Sequence, residues 1–421
     1  METADNVPGR RGSWQSPFAP LALRDFRLLW AGSTVSLLGD KVQLVALSVL
    51  ALDLTHDAAG WASVVFFEAL PRTALMLLAG VVIDRFRARP VLLVTSLLQG
   101  AAVALLALAI AGEPQLWQLN AYAAAMGVLL AFAGPTSLAV VPEVIPPAEL
   151  QRANAFSQMT ATLAGMLGAP LGGLLVAATG SAVAFGANAA SFLAVAACLA
   201  LIGGGVPVSA GASRGGQRLT LSGAMRDLQQ GAAAAWGDPF IRVVSCSAMV
   251  FSCGSGLALV VGIPALATLT FNAGTRGVGI LYGALAAGGL AGGLLAGAVR
   301  WTRPGVAACA GVAGIGIGLL LAALAPTVWL AAPFLALTGL ADALAGVLFL
   351  SLVQTRVPEG MRGRVLSLVS FSLLVVGPLS FGVVGLLGDA LPPRALLVAG
   401  GVLSLAAAAL AASQPDVRNA G

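Results

Sequence analysis

The sequence predicts an all-α membrane protein in which twelve transmembrane helices form two pseudo-symmetric six-helix bundles. Three observations support this prediction: the composition, a series of long apolar segments, and a weak repeat that relates the two halves of the chain. Of the 421 residues, 58% are hydrophobic and only 9% are charged, whereas soluble domains carry about 25% charged residues. The four cysteines lie in apolar stretches without metal-ligand or redox spacing, so we expect no metal site and no disulfide scaffold.

Twelve apolar segments come close to the about 20 residues that one helix needs to cross a bilayer. Their apolar runs are continuous rather than alternating, which favours helices over a barrel. The predicted spans are 28–52, 61–83, 90–111, 116–141, 155–178, 181–203, 242–270, 278–299, 305–325, 328–353, 366–388 and 394–412.

The distribution of basic residues predicts the orientation of these spans. If the N-terminus is cytoplasmic, 18 of the 22 Lys and Arg residues fall in cytoplasmic segments, and only Arg276 and Arg394 fall in outer loops. The positive-inside rule then places both termini in the cytoplasm. The excess of Arg over Lys, with abundant Ala and Gly, is typical of a GC-rich bacterium, so we expect a multi-pass protein of a bacterial inner membrane. The net charge of +5 reflects this topology, and we expect no nucleic-acid partner.

A polar segment divides the chain near its midpoint. We predict an N-terminal bundle over 1–203, a cytoplasmic linker with a short amphipathic helix over 204–241, and a C-terminal bundle over 242–421. The loop after span 4 reads V-P-E-V-I-P-P-A-E-L-Q-R, and the loop after span 10 reads V-P-E-G-M-R-G-R. Both combine Pro, an acid and Arg about half a chain apart, and a duplicated six-helix unit is a common plan of transporters.

The loop after span 2 carries a recognisable motif. It reads G-V-V-I-D-R-F-R-A-R, in which Arg87 and Ala88 depart from the usual pattern. The residues that match the loop motif of the major facilitator superfamily are Gly80, Asp84, Arg85 and Arg89. The chain resembles this family over nearly its whole length. The stretches D-F-R-L-L-W-A-G-S-T-V-S-L-L-G-D and V-P-E-G-M-R-G-R-V resemble its siderophore-exporter and macrolide-type drug efflux branch.

The resemblance implies two bundles that rock about a central site, which each membrane face reaches in turn. It implies a conformational latch in which Asp84 pairs with Arg and caps a neighbouring helix; a solvated turn is the alternative. In span 5, G-M-L-G-A-P-L-G-G resembles the Gly-Pro-rich helix of exporters. Its motif residues are Gly165, Gly168, Pro170, Gly172 and Gly173. In span 8, a ridge of small residues is expected to pack closely against another helix: Gly289, Gly293 and Gly297.

Charged residues inside the spans are the candidates for coupling or binding. Asp40 lies 13 residues beyond Arg27, roughly 20 Å along a helix, past the middle of a core about 30 Å thick. A charge at that depth is expensive and marks function by default. A carboxylate that is alternately dry and hydrated gains and loses a proton, so Asp40 is a candidate proton carrier; a fixed ion pair is the alternative.

Four further charged residues and three polar residues complete the candidate site. Glu68 and Arg72 stand one helical turn apart at a depth near that of Asp40, so they pair with each other or form a four-charge cluster with Asp40 and Lys41. In the second half, Asp342 is a mid-span acid that either takes protons or cationic substrate or forms structural hydrogen bonds. Three polar side chains line a cavity or bond between helices: Gln43, Asn120 and Gln158.

These residues and the resemblance together predict a monomeric, proton-coupled antiporter that exports a hydrophobic or amphipathic small molecule, such as a drug or natural product. Its partners would be that molecule, protons and the lipid bilayer. The sequence has no Walker P-loop, so the proton gradient would supply the energy and no cofactor or enzymatic step is expected. Two alternatives stay open, namely a proton-coupled importer or uniporter of a small nutrient, and a transport-inactive membrane receptor.

Overall fold

The computed structural model describes residues 19–86, 88–146, 149–203, 239–299, 301–356, 375–387 and 391–418. All regular structure in these ranges is helical, which confirms the all-α prediction. The first half holds α1 (Arg24–Thr55), α2 (Ala58–Arg85), α3 (Ala88–Ala109), α4 (Leu116–Val144), α5 (Leu150–Thr179) and α6 (Ser181–Leu201), after a short 3-10 turn at Ala19–Ala22.

The second half begins with α7, a helix of mixed geometry. It comprises Pro239–Ser255, a π-helical turn at Gly256–Gly262, the α-helical residues Ile263–Ala265 and a second π-helical turn at Leu266–Thr270. The helices that follow are α8 (Gly274–Ala298), α9 (Pro304–Leu324), α10 (Val328–Arg356), α11 (Val375–Leu387), α12 (Pro393–Ser413) and the short α13 (Pro415–Arg418).

Ten helices of the described chain are long and apolar enough to cross a membrane. They do not include α2, which is 28 residues long and carries Glu68 and Arg72, or α11, of which the described part is shorter. The number twelve therefore stays a prediction. Several helices run beyond their predicted spans, because polar end residues continue the helical hydrogen bonding outside the apolar core. One example is α1, which begins at Arg24.

The outward faces of the helices are apolar. Leu108, Leu138 and Leu294 are each more than 70% exposed, which suits a lipid environment because lipid tails are as apolar as leucine. Helices instead contact one another through small residues. A Cβ at Gly288 or Gly292 would overlap the backbone of α10.

This contact surface corrects the predicted glycine ridge of span 8. Gly293 and Gly297 have nothing within 4 Å of an added Cβ, and Gly289 meets only the carbonyl oxygen of Gly339, at 3.7 Å. The packed glycines lie one position earlier in each turn, at Gly288 and Gly292. The four-residue spacing of the packed glycines was predicted correctly, but the predicted face of α8 was wrong.

The helix contacts of the second half repeat those of the first. In the first half, α2 packs on α4, α3 packs on α4 and α6, and α1 packs on α6. The corresponding helices of the second half, six positions later in the helix order, make the same contacts. There α8 packs on α10, α9 packs on α10 and α12, and α7 packs on α12. The two halves therefore share one packing plan. Residues 204–238 of the predicted linker lie outside the described residues, and its last three positions belong to α7.

The two halves meet mainly where α5 packs against α8. An added Cβ at Gly173 would lie 2.7 Å from the carbonyl oxygen of Thr275 and 2.9 Å from the Cα of Gly279. A second link joins α2 to α7, because the indole Nε1 of Trp61 donates to the carbonyl oxygen of Val260 at 2.8 Å. Backbone-to-backbone approach therefore defines this interface.

Apolar clusters show which end of the molecule is closed. One cluster joins Leu52 and Trp61 of the first half to Val261, Phe381 and Leu396 of the second. The cluster at the opposite end of the first bundle contains residues of that bundle alone. In the described part of the chain, the halves are therefore sealed at the end where α1 finishes.

The α5–α8 contact predicts opposite effects for two similar substitutions. Gly173→Ala would press a methyl group into the backbone of α8, and we expect a loss of about 1–3 kcal/mol in the free energy of unfolding. Gly165→Ala, on the same helix, has nothing within 4 Å of the new Cβ. We expect it to be neutral or to gain up to about 1 kcal/mol from helix propensity. Thermal unfolding of both variants in detergent tests this, and equal melting temperatures would contradict the close packing.

Candidate functional site

A hydrogen-bonded group in the middle of the first bundle holds Asp40. Asn188 of α6 donates both protons of its amide nitrogen, to Asp40 Oδ1 at 3.4 Å and to Gln43 Oε1 at 2.6 Å. Gln43 donates in turn to the phenol oxygen of Tyr122 on α4, and Ser191 donates to Asn188 Oδ1 at 2.9 Å. We call these five residues the amide network. Each hydrogen-bonding atom of the Asn188 amide is used, so its orientation is fixed.

The four charges predicted to cluster lie within electrostatic range of one another. Asp40 interacts with Lys41 and Glu68, and Glu68 interacts with Arg72 and Lys41. Among the described side chains, none of these four groups forms an ion pair within 4 Å. The stem of Lys41 instead packs against Gly168 of α5, where an added Cβ would lie 2.9 Å from Lys41 Cγ. Attraction between carboxylates and cations is therefore balanced by repulsion between Asp40 and Glu68, without direct contact among the four groups.

A cleft between the two halves adjoins these charges. It encloses about 380 Å³ and is lined by one face of α2, one face of α7 and the start of the described part of α11. We call it the inter-bundle cleft; it contains Glu68 and Arg72 on α2, Ser255 and Leu259 on α7, and Phe381 on α11. Glu68 is partly buried and Arg72 is exposed. Glu68 and Arg72 thus share a cavity with residues of α7 and α11, two helices that the sequence analysis did not connect to them.

The π-helical turn of α7 forms one wall of the inter-bundle cleft. Because a π turn breaks the regular hydrogen-bond ladder, carbonyl groups there are free to accept side-chain donors. Tyr282 donates to the carbonyl of Leu259 at 2.8 Å, and Trp61 donates to that of Val260. The second bond crosses between the halves, so the wall of the cleft is tied to both of them. Sequence reasoning missed this feature because no residue pattern distinguishes a π turn from an α turn.

Asp342 lies apart from the other charges. It is exposed on α10 and interacts with no charged group of the described residues. Its neighbour Ala341 packs toward Gly314 of α9, at 3.1 Å from an added Cβ. At about 100° per residue, Asp342 points roughly 140° away from Leu337, another exposed residue of α10.

The loop motif after α2 is only partly described. Gly80, Asp84 and Arg85 lie in α2, but their side chains are outside the described residues, so the latch stays a prediction. Arg89 donates to the carbonyls of Leu199 at 2.9 Å and Ile202 at 2.7 Å. It therefore caps the C-terminus of α6, where a cation complements the helix dipole.

Glu143 is a structural residue that the sequence analysis left unassigned. Its Oε1 accepts the backbone N–H of Ala88 at 3.0 Å and so caps the first turn of α3. This is the kind of role that the motif suggested for Asp84. In the sequence, Glu143 stands out only as the acid of the V-P-E stretch in the repeat. Its charge is nevertheless a usable signal, because an acid is favoured beside the N-terminus of a helix.

The glycine motif of α5 packs on two sides. Gly168 and Gly172 lie against Lys41 and Val42 of α1, and Gly173 lies against α8. The ring of Pro170 meets Gly283 of α8, 2.9 Å from an added Cβ. Gly165 has no neighbour within 4 Å. Four of the five motif residues therefore place α5 between α1 and the other half of the molecule.

The three polar candidates have different surroundings. Gln43 belongs to the amide network. Asn120 accepts a hydrogen bond from Ser63 Oγ at 3.1 Å, which joins α4 to α2. Gln158 is exposed on α5, and its side chain forms no hydrogen bond with the described residues. The structure therefore places Gln43 and Asn120 between helices and leaves Gln158 on an open surface.

Comparison with known proteins identifies the class. The family model described as Major Facilitator Superfamily matches residues 29–381, and the chain belongs to this family. It is therefore a multi-pass membrane transporter and not an enzyme.

The chain is 30% identical over 386 residues to the multidrug efflux pump Tap of Mycobacterium tuberculosis, with 87% of each chain covered. It is 26% identical over 337 residues to the enterobactin exporter EntS of Salmonella paratyphi A, covering 76% of this chain and 75% of that protein. The predicted likeness to siderophore and drug exporters is thus confirmed.

Solved structures show the same fold. A bacterial homologue of the iron transporter ferroportin in an inward-facing state superposes with a TM-score of 0.71 at 18% identity, covering 93% of this chain and 98% of that one. The nucleoside transporter NupG also gives a TM-score of 0.71, at 13% identity and with 92% and 99% coverage. At these identities the likeness concerns the fold alone.

The amide network predicts unequal costs for removing two asparagines. Asn188→Ala would leave the Gln43 amide oxygen without its donor in a buried site, while Ser191 keeps its bond to the backbone carbonyl of residue 188. We expect a loss of about 1–3 kcal/mol in the free energy of unfolding. Asn120→Ala removes one acceptor in a partly buried position and should cost less, about 0.5–1.5 kcal/mol. Thermal unfolding of both proteins is the measurement, and a smaller effect for Asn188→Ala would contradict the network's role.

Proposed function

We propose that this transporter is a proton-coupled antiporter that exports a hydrophobic or amphipathic small molecule. The observation that carries the proposal is the setting of Asp40, a carboxylate within the membrane helix α1 whose direct partner is the neutral amide of Asn188. A carboxyl group still accepts a hydrogen bond after protonation, whereas an ion pair loses its attraction. Asp40 can therefore change its charge without losing its partner.

The surrounding charges give such a change a consequence. Glu68 attracts Lys41 and Arg72 at longer range, and Asp40 contributes to that balance by attracting Lys41 and repelling Glu68. Neutralising Asp40 weakens the hold on Lys41, whose stem packs against α5. Because α5 also forms the main contact with α8, protonation in the first bundle is physically linked to the interface between the halves.

The way the halves meet supports alternating access. Their described residues are sealed at the end where α1 finishes, and the arginine distribution predicts that this end faces the outside of a bacterial inner membrane. With both termini cytoplasmic, this seal would close the outer side, as expected of a conformation in which an exporter loads its cargo from the inside. The backbone contacts of Gly173 and Gly279 contain no interlocking side chains, and small-residue interfaces of this kind permit sliding.

The relatives support export over import. One is an enterobactin exporter and another is a multidrug efflux pump. Both move cargo out of a bacterium, which favours the exporter over the importer or uniporter and over a transport-inactive receptor. We expect the protein to work as a monomer, to need no cofactor and to use the proton gradient as its energy source.

Asp40→Asn tests proton coupling directly. In proteoliposomes loaded with the pH dye pyranine, wild-type protein should accumulate ethidium or enterobactin against its gradient when a pH difference is imposed. We expect the variant to lose uphill accumulation by at least tenfold while it still exchanges cargo downhill, because the amide keeps the fold but cannot exchange a proton. Glu113→Gln, which changes an exposed loop acid, is the matched control and should behave as wild type.

Asp342→Asn, measured in the same assay, separates the two carboxylates. Loss of coupling in that variant alone would transfer the carrier role from Asp40 to α10. If both variants accumulate cargo normally, neither acid carries the proton. Accumulation that persists without any pH difference would show that the protein is not an antiporter, and absence of any movement of either cargo would favour the receptor alternative.

A further inference from the structure

Arg72 presents unused hydrogen-bond donors in the inter-bundle cleft. Its guanidinium is permanently charged and carries five N–H donors, yet it forms no hydrogen bond and no ion pair within 4 Å with the described residues. It is exposed where it lines the cleft. A cation within a membrane helix costs several kcal/mol unless it is hydrated or paired. Among the described residues, the cleft therefore contains a strong binding group without a direct hydrogen-bond or ion-pair partner.

The nearby carboxylate does not meet this need. Glu68 is attracted by two cations, Arg72 and Lys41, so its negative charge is shared. Glu68 is also partly buried where it lines the cleft. The Arg72 guanidinium therefore still offers hydrogen-bond donors in the cleft, and an anionic oxygen would complement them.

The rest of the inter-bundle cleft fits the apolar part of a small molecule. Leu259 and Phe381 supply apolar walls, and Ser255 supplies a hydroxyl that already donates to the carbonyl of Ser252 at 3.2 Å and so remains an acceptor. About 380 Å³ lies at the lower end of the usual range for small-molecule sites. The wall on α7 and the residues on α2 belong to different halves, so a bound molecule would bridge them.

We propose that the inter-bundle cleft is a substrate subsite for an amphipathic anion, whose carboxylate or comparable oxygen group binds Arg72 while its apolar body rests on Leu259 and Phe381. This inference deepens the proposed function, because it assigns the chemical class of cargo to the transporter's own cleft. Bidentate binding of a carboxylate is the contact for which a guanidinium is best suited.

Three fluorescent probes test the charge preference of the cleft. Dansylglycine, dansylamide and dansylethylenediamine share one apolar group and carry a carboxylate, no charge and an amine, respectively. Full-length protein in lipid nanodiscs is titrated with each probe without a proton gradient, and the rise in dansyl emission is measured. We expect dansylglycine to bind at least about tenfold more tightly than dansylamide, and dansylethylenediamine to bind no better than dansylamide.

Substitutions then locate the binding group. Arg72→Gln should weaken dansylglycine by about tenfold and leave dansylamide unchanged, while Arg72→Lys should keep part of the preference because it keeps the charge but loses the fork. Arg276→Gln, at the exposed start of α8, is the matched control and should have no effect. Ser255→Phe should weaken all three probes because the added ring fills the cleft. Melting temperatures of each variant show that the fold is retained.

Several results would overturn the proposal. They are equal binding of dansylglycine and dansylamide, an unchanged preference in Arg72→Gln, and the absence of binding by any probe to protein that melts cooperatively. Tightest binding of dansylethylenediamine, lost in Glu68→Gln, would make the cleft a cation site instead. The binding test is independent of proton coupling. Binding that depends on Arg72, without gradient-driven transport, would contradict the antiporter proposal but not the anion subsite. Coupled transport by a protein in which Arg72→Gln binds dansylglycine normally would contradict the anion subsite but not the antiporter.

Discussion

The absence of water in the bilayer core is the constraint on which the rest of this structure depends. Apolar side chains gain nothing by leaving lipid for a helix interface, so helices join through close backbone approach and through polar groups that satisfy one another. Both devices meet in α5. Its glycines bring the backbone against α1 on one side and against α8 on the other. The same helix thereby touches the stem of Lys41 and carries the contact between the two halves.

The first bundle and the inter-bundle cleft solve the problem of buried charge in different ways. Asp40 is held by the neutral amide network, which suits a group whose charge changes. Arg72 lines a cavity and has no direct partner among the described residues, which suits a group that awaits a ligand. Glu68, which lines the cleft, interacts electrostatically with Asp40, Lys41 and Arg72. A change of charge at one site is therefore felt at the other through longer-range electrostatic interaction.

Much of the candidate site was predictable because its residues break an apolar pattern. A charge inside a membrane span stands out, so Asp40, Glu68, Arg72 and Asp342 could be named from their positions alone. Their grouping could not be fully predicted. Asn188 and Tyr122 are unremarkable polar residues until folding brings α4 and α6 against α1. The role of Glu143 as a cap also depends on the start of α3 lying beside the end of α4.

The sequence by itself determined the all-helical membrane fold and the family, since these follow from composition and motif, and it predicts the depth of the charged residues from the fixed rise of a helix. Tertiary structure alone decided which face of each helix is used. The glycines of α8 that pack lie one residue before those predicted, because helical spacing gives a repeat but not the direction of a neighbour. It also decided that Arg72 opens into a cleft shared with α7 and α11, because a cavity between two bundles is formed by residues that are far apart in the sequence, such as Arg72, Leu259 and Phe381.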